Sequence, residues 1–462
     1  MAIVWVNYFS PASSQGLNIF DKQPATITVE NAGMAPANNG KKRFWRAAGE
    51  WAMAQALPWA SNRFIRKANF ARVSFKSIFH NMAPNNQQFD DNKFFNNQFS
   101  HPYQGSLYFN AFRSNGYNFW ESVPAVFAGT ITWETIAETH LPAPNDIINT
   151  SLGGIVFGEM STRLSKIILR RKHGKSTGTI RESLSFVSNP MHGLNRILDK
   201  EWAKKNEASG MDDTPVSLVT DAGVRLIKTR VKHLSNKIRS ESFGRIQLQY
   251  GNPYTNSKTP FNNFSVVTEI GNSDSAKANV LQIEGGLYST KIKQTTRSVH
   301  VFNISMNYDF FQHSSFVYGA QSFRANLFSR INFSNKFQLQ CKAGAGIIAL
   351  ASVPNTYLYY GEGRNYNYCS GFSLQAGAGI NIANKLFYNF QCSGAAVKTI
   401  NGFKSVHLLY STSSELRVTV YKNLTISVAS SNYFFNGYYA DFATVSDHHS
   451  FRHFGLGYKI ML

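Results

Sequence analysis

The C-terminal part of the sequence, Pro215–Leu462, alternates between polar and apolar residues with a period of two. In one run, Leu339 and Cys341 lie on one face, whereas Gln340 and Lys342 lie on the other. This is the period of a β-strand, in which successive side chains point to opposite faces. About twelve such runs follow one another, separated by turn residues. An even number of alternating runs predicts a transmembrane antiparallel β-barrel.

Charged residues on the polar faces distinguish this barrel from a soluble one. They are Arg225, Glu269, Glu284, Arg324, Glu415 and Arg417. A packed soluble core does not hold so many charges, so we expect a polar lumen and an apolar face turned to lipid. The composition agrees, because charged residues make up only 16% of the chain, against about 25% in soluble domains. The chain contains no run of apolar residues long enough for a membrane-spanning helix.

The formal net charge of +21 indicates a negatively charged partner, such as nucleic acid or an anionic membrane surface. Lysine and arginine are spread along the chain rather than concentrated on one helix or stripe, so we do not expect nucleic acid to be the partner. Outer-membrane lipid, including anionic lipopolysaccharide, suits the composition better, and envelope proteins remain possible partners. The three cysteines show no metal-ligand spacing. No cofactor is expected and no metal site is assigned.

The sequence divides into three parts. Residues 1–40 predict an extended lead that resembles the end of an export signal, 41–210 a helical region, and 211–462 the barrel. We expect helices near residues 42–57, 106–114, 119–138, 145–170 and 190–204. The predicted turns at residues 334–336, 383–385 and 422–423 are short, and the connections between them, at 353–365 and 436–450, are long. In outer-membrane barrels the short turns are periplasmic. The helical region is then periplasmic, or it plugs the lumen.

Several motif blocks are linked within the helical region. They are His101-Pro-Tyr-Gln-Gly-Ser-Leu-Tyr-Phe-Asn110, Asn118-Phe-Trp-Glu-Ser122, Trp133-Glu134, Pro144-Asn-Asp146 and Gly153-Gly154. This pattern resembles an uncharacterised outer-membrane family of Gram-negative bacteria, known only as a domain of unknown function, over roughly Lys41 to Lys204. The resemblance implies an envelope location and a barrel that follows the helices. It implies no reaction.

Ionisable residues on the apolar helices are the candidate site. Glu134 and Glu138 are four residues apart and share a helix face. If they converge with Asp146 and His101, the group could act as general acid and base, or bind a metal ion through His101. A hydrolase built on Ser122 or Ser151 is disfavoured, because no Gly-x-Ser-x-Gly motif is present.

A structural role is the preferred interpretation of these charges, because buried charges are normally paired. In that case the carboxylates pair with arginines of the lumen and fasten a plug to the barrel wall. The residues assigned to such contacts are Glu121, Arg113 and Glu159.

Two glycine-rich strands complete the candidate residues. The inward positions are Gly344, Gly346, Gly377 and Gly379. Glycine in a strand often marks the close approach of another backbone. We therefore expect a bare patch on the inner wall, against which a plug helix docks.

The sequence favours a non-enzymatic function, as a transport, assembly or interaction component of the outer membrane. The alternative is an outer-membrane enzyme that acts on lipid or glycan through Glu134, Glu138, Asp146 and His101. A simple open pore is a third, less favoured interpretation.

Overall fold

A computed structural model describes residues 41–461, apart from residues 84, 171–177, 205–213, 232–236, 272–277, 314–316 and 362. The lead expected at residues 1–40 lies outside the described residues. The chain forms two compact units, a helical one within Val29–Asp213 and a barrel formed by Thr214–Tyr359 and Asn365–Leu462.

The barrel consists of twelve antiparallel strands, each paired with its neighbours in sequence, and β1 pairs with β12 to close it. The strands are β1 Val216–Val231, β2 Lys237–Tyr250, β3 Phe264–Gly271, β4 Ala278–Gln294, β5 Ser298–Gln312, β6 Val317–Ser334, β7 Phe337–Pro354, β8 Tyr366–Ile382, β9 Leu386–Asn401, β10 Ser405–Tyr421, β11 Leu424–Tyr439 and β12 Val445–Met461. The predicted fold, a transmembrane antiparallel barrel of twelve strands with an α-helical N-terminal part, is confirmed.

Strand pairing fixes which side chains share the inner face. Arg245 lies directly opposite Asp221 on one neighbouring strand and Glu269 on the other, so all three point inward. The outward positions carry apolar side chains that are exposed on the barrel surface. They include Ile246, Ile270, Ile347, Leu374, Phe390, Leu416, Phe454 and Leu456. A polar interior and an apolar exterior are the arrangement of a membrane-spanning barrel.

One of the predicted long connections between strands is much shorter than the sequence indicated. The tight turns at residues 335–336, 383–385 and 422–423 lie where expected. The expected long loop at 436–450 is reduced to residues 440–444, because β11 and β12 extend further along each other. The loop at 355–365 remains long, and the connection at 251–263 is a second long one.

Seven α-helices lie within the described part of the N-terminal unit. They are α1 Phe44–Ala60, α2 Phe75–Asn81, α3 His101–Arg113, α4 Phe119–Thr132, α5 Pro144–Leu169, α6 Thr179–Ser188 and α7 Pro190–Leu198. Short π-helical turns follow α1 at Ser61–Ile65, precede α3 at Asn96–Ser100 and follow α4 at Trp133–Ala137; Asn69–Ala71 forms a 3-10 turn. None of the described helices is both long enough and apolar enough to cross a membrane.

Three details of the helices differ from the sequence prediction. Helix α1 does not stop at Pro58, because the N–H of Ser61 bonds to the carbonyl of Leu57 and the hydrogen-bond pattern resumes past the proline. Helix α7 ends at Leu198 rather than continuing to residue 204. Helices α2 and α6 were not expected; α2 begins with a capping box between Ser74 and Ser77.

Helices α3, α4 and α5 form the core of the helical unit. Helices α3 and α5 cross so closely at Gly105 and Gly154 that a Cβ on Gly105 would overlap the carbonyl oxygen of Thr150. The start of α4 is fixed by a capping box, in which Asn118 and Glu121 each accept a hydrogen bond from the other's backbone N–H. This crossing and this cap set where the ends of α3, α4 and α5 lie.

Candidate functional site

The residues predicted as a catalytic group do converge in the helical unit. His101 is the first residue of α3, Asp146 lies in the first turn of α5, and Glu134 lies in the π-helical turn after α4. Asp90, in the extended segment before α3, joins them. The site is therefore assembled from the ends of three helices and one loop.

Asp90, His101 and Asp146 form the tightest part of this group. Each offers one metal-ligating atom, and these atoms all lie within 4.8 Å of one another. Asp146 is buried at 3% exposure, whereas Asp90 and His101 are partly exposed. The three side chains could hold one small cation between them.

Asn145 ties two members of this group together. Its Oδ1 accepts a hydrogen bond from the backbone N–H of Asp90 at 2.9 Å, and its Nδ2 donates to Oδ1 of Asp146 at 2.8 Å. The amide is itself fully buried. It fixes the position of the loop that carries Asp90 relative to the first turn of α5.

The π-helical turn places the two glutamates. Oε2 of Glu134 accepts a hydrogen bond from the N–H of Ala143 at 2.9 Å. The side-chain amide of Asn81 donates to the carbonyls of Glu138 and His140, at 3.0 and 2.7 Å, and so satisfies the backbone where the turn ends. The charges of Glu134 and Asp146 both act on the Glu138 carboxyl, which lies beside them. Both glutamates therefore face the Asp146 side of the site.

The carboxyl groups raise one another's pKa. Burial, followed by the charge of Asp146, raises the pKa of Glu134 to about 8. Burial and then Glu134 raise the pKa of Glu138 well above its usual value. Burial and then Asp90 do the same for Asp146. Desolvation and like-charge proximity are the ordinary causes of such shifts, and the group consequently favours protonation or a bound cation.

The residues predicted as plug contacts lie elsewhere, and their partners belong to the helical unit. Glu121 is exposed and pairs with Lys42 at 2.8 Å. Glu159 is fully buried and accepts hydrogen bonds from Arg113 at 2.8 and 3.2 Å and from Arg163 at 2.9 Å. Burial alone would raise the pKa of Glu159, but the guanidinium of Arg113 and then that of Arg163 hold it below its usual value. This triad holds α3 against α5.

The inward glycines of the barrel lie opposite long polar side chains of neighbouring strands. Gly344 pairs with Asn326 and Gln375, Gly346 with Arg324 and Ser373, Gly377 with Lys342 and Gln391, and Gly379 with Gln340 and Asn389. A Cβ on Gly344 would meet the amide of Asn326, and one on Gly346 would meet Arg324. The sequence predicted a bare wall, but at Gly344 and Gly346 residues of the neighbouring strands lie within contact distance of the glycine; the docking of a plug helix at these glycines stays a prediction. These two glycines make room for side chains of the barrel itself.

Charges inside the barrel are paired in three groups. One group joins Arg225, Glu241 and Glu269. A second joins Asp221, Arg245, Glu415 and Arg417, and the third joins Glu284, Asp309, Arg324 and Lys342. All six charged residues that the sequence placed on polar faces belong to these groups. One cavity beside them, of about 80 Å³, is lined by Arg245, Glu269 and Glu415.

Comparisons with known proteins add a family of unknown function. A family model described as "Domain of unknown function (DUF3943)" matches residues 86–191. This range includes all five residues of the candidate site, which are Asp90, His101, Glu134, Glu138 and Asp146. The match supports the resemblance at the level of a domain of unknown function. No curated protein matches the chain.

Solved structures similar to the chain are outer-membrane channels. A KdgM porin in complex with disordered oligogalacturonate is 10% identical, with a TM-score of 0.26, over 51% of this chain and 98% of that one. The NanC porin is 9% identical, with a TM-score of 0.26, over 50% and 98%. The channel DcaP of Acinetobacter baumannii is 8% identical, with a TM-score of 0.26, over 53% and 96%. The fold itself rests on the strand pairing.

Two features of the structure were not predicted from the sequence: that Asp90 joins the candidate site, and which charged residues pair with one another inside the barrel. Asp90 lies in a polar loop, and only its contact with Asn145 brings it to the site. Asp221, Glu241, Arg245 and Asp309 sit on predicted strands or beside them. Their alternation shows that they face inward, but their partners depend on strands that are distant in sequence.

Proposed function

We propose that the chain is a non-enzymatic component of the outer membrane, a barrel whose lumen is held closed by paired charges and which passes solutes only when those pairs separate. The observation that carries this proposal is a set of ion pairs between strands that are not neighbours. Such pairs have to cross part of the lumen.

Three ion pairs of this kind support the proposal. Arg245 on β2 pairs with Glu415 on β10 at 2.8 Å. Arg417 on β10 donates to both carboxylate oxygens of Asp221 on β1, at 2.5 and 2.9 Å. Lys342 on β7 donates to both oxygens of Glu284 on β4, at 2.7 and 2.6 Å. Two or three strands lie between the partners around the barrel.

Burial of these side chains supports a closed lumen. Arg417 is 1% exposed, Asp221 4% and Lys342 8%. Because these charged groups are buried and paired across the lumen, constitutive passage of solutes is not expected.

The outer-membrane location follows from the two faces of the barrel. The exterior band of exposed apolar side chains requires a lipid environment. The net charge of +21 suits contact with anionic lipopolysaccharide, because basic residues near a charged membrane surface gain electrostatic attraction. Fractionation of the cell envelope tests the location, and recovery with the inner membrane would contradict it.

Planar-bilayer conductance tests the closed lumen. We expect the full-length protein to show no steady conductance. Replacing both partners of all three pairs by alanine should open steady channels, since the six substitutions remove every one of these links and take away three acidic and three basic groups. The residues replaced are Arg245, Glu415, Arg417, Asp221, Lys342 and Glu284. The control is Lys42→Ala with Glu121→Ala, which removes an exposed pair of the helical unit and should stay silent. A wild-type protein that conducts constantly, or a silent lumen variant that inserts normally, would refute the proposal.

A second candidate function is an envelope enzyme acting on lipid or glycan. The convergence of Glu134, Glu138, Asp146 and His101 favours it, because general acid–base catalysis needs such groups within hydrogen-bond reach of one substrate. Glu134→Gln is the test. Accumulation of an unprocessed lipid or glycan in cells that carry the folded variant would support the enzyme, and an unchanged envelope composition would argue against it.

A further inference from the structure

We propose that the helical unit binds one divalent transition-metal ion, with Asp90, His101 and Asp146 as its protein ligands. This site lies in the helical unit and does not depend on whether the barrel conducts.

The geometry of the three side chains is the first support. Their ligand atoms lie within 4.8 Å of one another and come from a loop, the start of α3 and the start of α5. Atoms that bind one Zn²⁺ ion at about 2.0–2.2 Å lie roughly 3–4 Å apart. Small side-chain rotations therefore suffice to close the three atoms around an ion.

The second, independent support for a metal site is that no basic side chain neutralises its buried carboxylates. Elsewhere in the helical unit, buried carboxylates face arginines: Glu159 faces Arg113, and Glu182 faces Arg196. In the described part of the chain, no lysine or arginine pairs with Glu134 or Asp146. Buried charges are normally paired or coordinate metals. A cation at this position supplies the charge that arginines supply at the other carboxylates.

An amide oxygen beside the group is the third support. Asn149 is fully buried and lies one helical turn after Asp146 on α5, hence on the same face. Its Nδ2 donates to the carbonyl of Asn97, one turn before His101, while its Oδ1 has no hydrogen-bond donor among the described residues. The unsatisfied oxygen belongs to a side chain on the helix that carries Asp146, and the amide group of that side chain bonds to the segment that leads into His101; a metal-bound water could supply the missing donor.

The donor set indicates the kind of metal. Imidazole suits Zn²⁺, Fe²⁺ and similar ions, while carboxylates suit Mn²⁺ and harder ions; thiolate, which selects Cu⁺, is absent from the group. Three protein ligands leave at least one coordination position for water or a substrate. Asn145, which donates to Asp146, supplies the kind of outer hydrogen bond that orients a ligating carboxylate. We therefore infer Zn²⁺ or Mn²⁺ rather than Ca²⁺.

Binding of Zn²⁺ and of Mn²⁺ to the full-length protein tests the site. The protein is prepared in detergent without a histidine tag, stripped with a chelator and titrated calorimetrically with each metal; bound metal is counted by mass spectrometry. We expect one equivalent per chain of at least one metal. Asp146→Asn and His101→Gln should each weaken binding at least tenfold. Asp199→Asn, which removes one carboxylate from an ion pair with Arg43, is the matched control and should bind as the wild type does.

Unfolding measurements separate loss of the site from loss of the fold. Without metal, Asp146→Asn should unfold no more easily than the wild type, because it removes a buried charge that repels Asp90. With metal, the wild type should gain stability and the variant should not. Absence of tight binding in the folded wild type, or equal binding by Asp146→Asn, His101→Gln and the control, would overturn the proposal.

Discussion

Glu159→Gln is expected to be the most damaging single charge removal in the helical unit. Glu159 is fully buried, and its carboxylate accepts hydrogen bonds from Arg113 and Arg163, which are 8% and 1% exposed. Glutamine keeps the size and one acceptor oxygen but removes the charge. Two guanidinium groups then remain in a site without a countercharge.

The magnitude follows from this burial. Removing one partner of a buried ion pair costs about 3–5 kcal/mol, because the charge left behind is desolvated and uncompensated. Here one carboxylate serves two arginines, so we expect at least about 4 kcal/mol. A domain of ordinary stability has only about 5–15 kcal/mol in total. The variant should therefore lose a large fraction of the stability of its helical unit.

Tryptophan fluorescence during urea unfolding measures this loss selectively. All seven tryptophans of the chain lie before residue 203, and none lies in the barrel. The fluorescence transition therefore reports on the N-terminal part while the barrel stays folded in detergent. We expect a clear shift of the midpoint to lower urea concentration for Glu159→Gln.

Two companion variants decide whether pairing is the reason. Glu121→Gln removes a carboxylate that is exposed beside Lys42, and glutamine still accepts the capping bond from Asn118, so no measurable change is expected. Replacing Arg113, Glu159 and Arg163 together by methionine should restore most of the lost stability, because a buried ion-pair group is often replaceable by apolar residues. A loss below about 1 kcal/mol for Glu159→Gln, or a loss equal to that of Glu121→Gln, would refute the reasoning.

Three further outcomes are expected. Burial chiefly raises the pKa of Glu50 from 4.5 to about 7. The stability that the protonated carboxyl contributes is therefore fully present below pH 4.5 and is lost as the pH rises through 7. Glu50→Gln should remove up to about 3 kcal/mol of this decline in the free energy of unfolding, which urea midpoints across this pH range measure. Gly154→Leu should force α3 and α5 apart and lower the same midpoint by about 1–3 kcal/mol or more, and an unchanged midpoint would contradict the close crossing. Gly344→Leu should reduce the yield of folded barrel on heat-modifiability gels, because Asn326 and Gln375 occupy the space above the glycine; normal yield would count against that packing.

The barrel could be predicted because its signal is local and repeated. Alternation with period two appears within each run, and charges such as Arg324 and Glu415 on the polar side decide which face turns inward. Strand ends were less predictable. The alternating pattern in the sequence marks the second strand only over Arg245–Tyr250. In the structure β2 begins at Lys237, because pairing with β1 extends it through residues that are mostly polar on both faces.

The candidate site was only partly predictable, because spacing along a helix gives a shared face but not the groups opposite it. Glu134, Glu138, Asp146 and His101 were selected as ionisable residues on apolar helices, and they do meet. Asp90 was not, because a loop aspartate has no periodicity to mark it. Its place at the site depends on Asn145, a tertiary contact that no local pattern encodes.

The carboxylates of the helical unit fall into two classes that the sequence does not separate. Glu159 has arginines on both sides and a lowered pKa, which is how a buried charge that holds helices together is stabilised. Glu134 and Asp146 are equally buried, yet their described neighbours are mainly other carboxylates, and their pKa values are raised. Such an arrangement costs stability in the absence of a cation or bound protons, and structural pairing alone gives no reason to retain it. Bound protons remove this cost by neutralising the carboxyl groups, whereas a bound cation removes it and leaves them charged. The function of the helices is therefore to be sought at Asp146 rather than at Glu159.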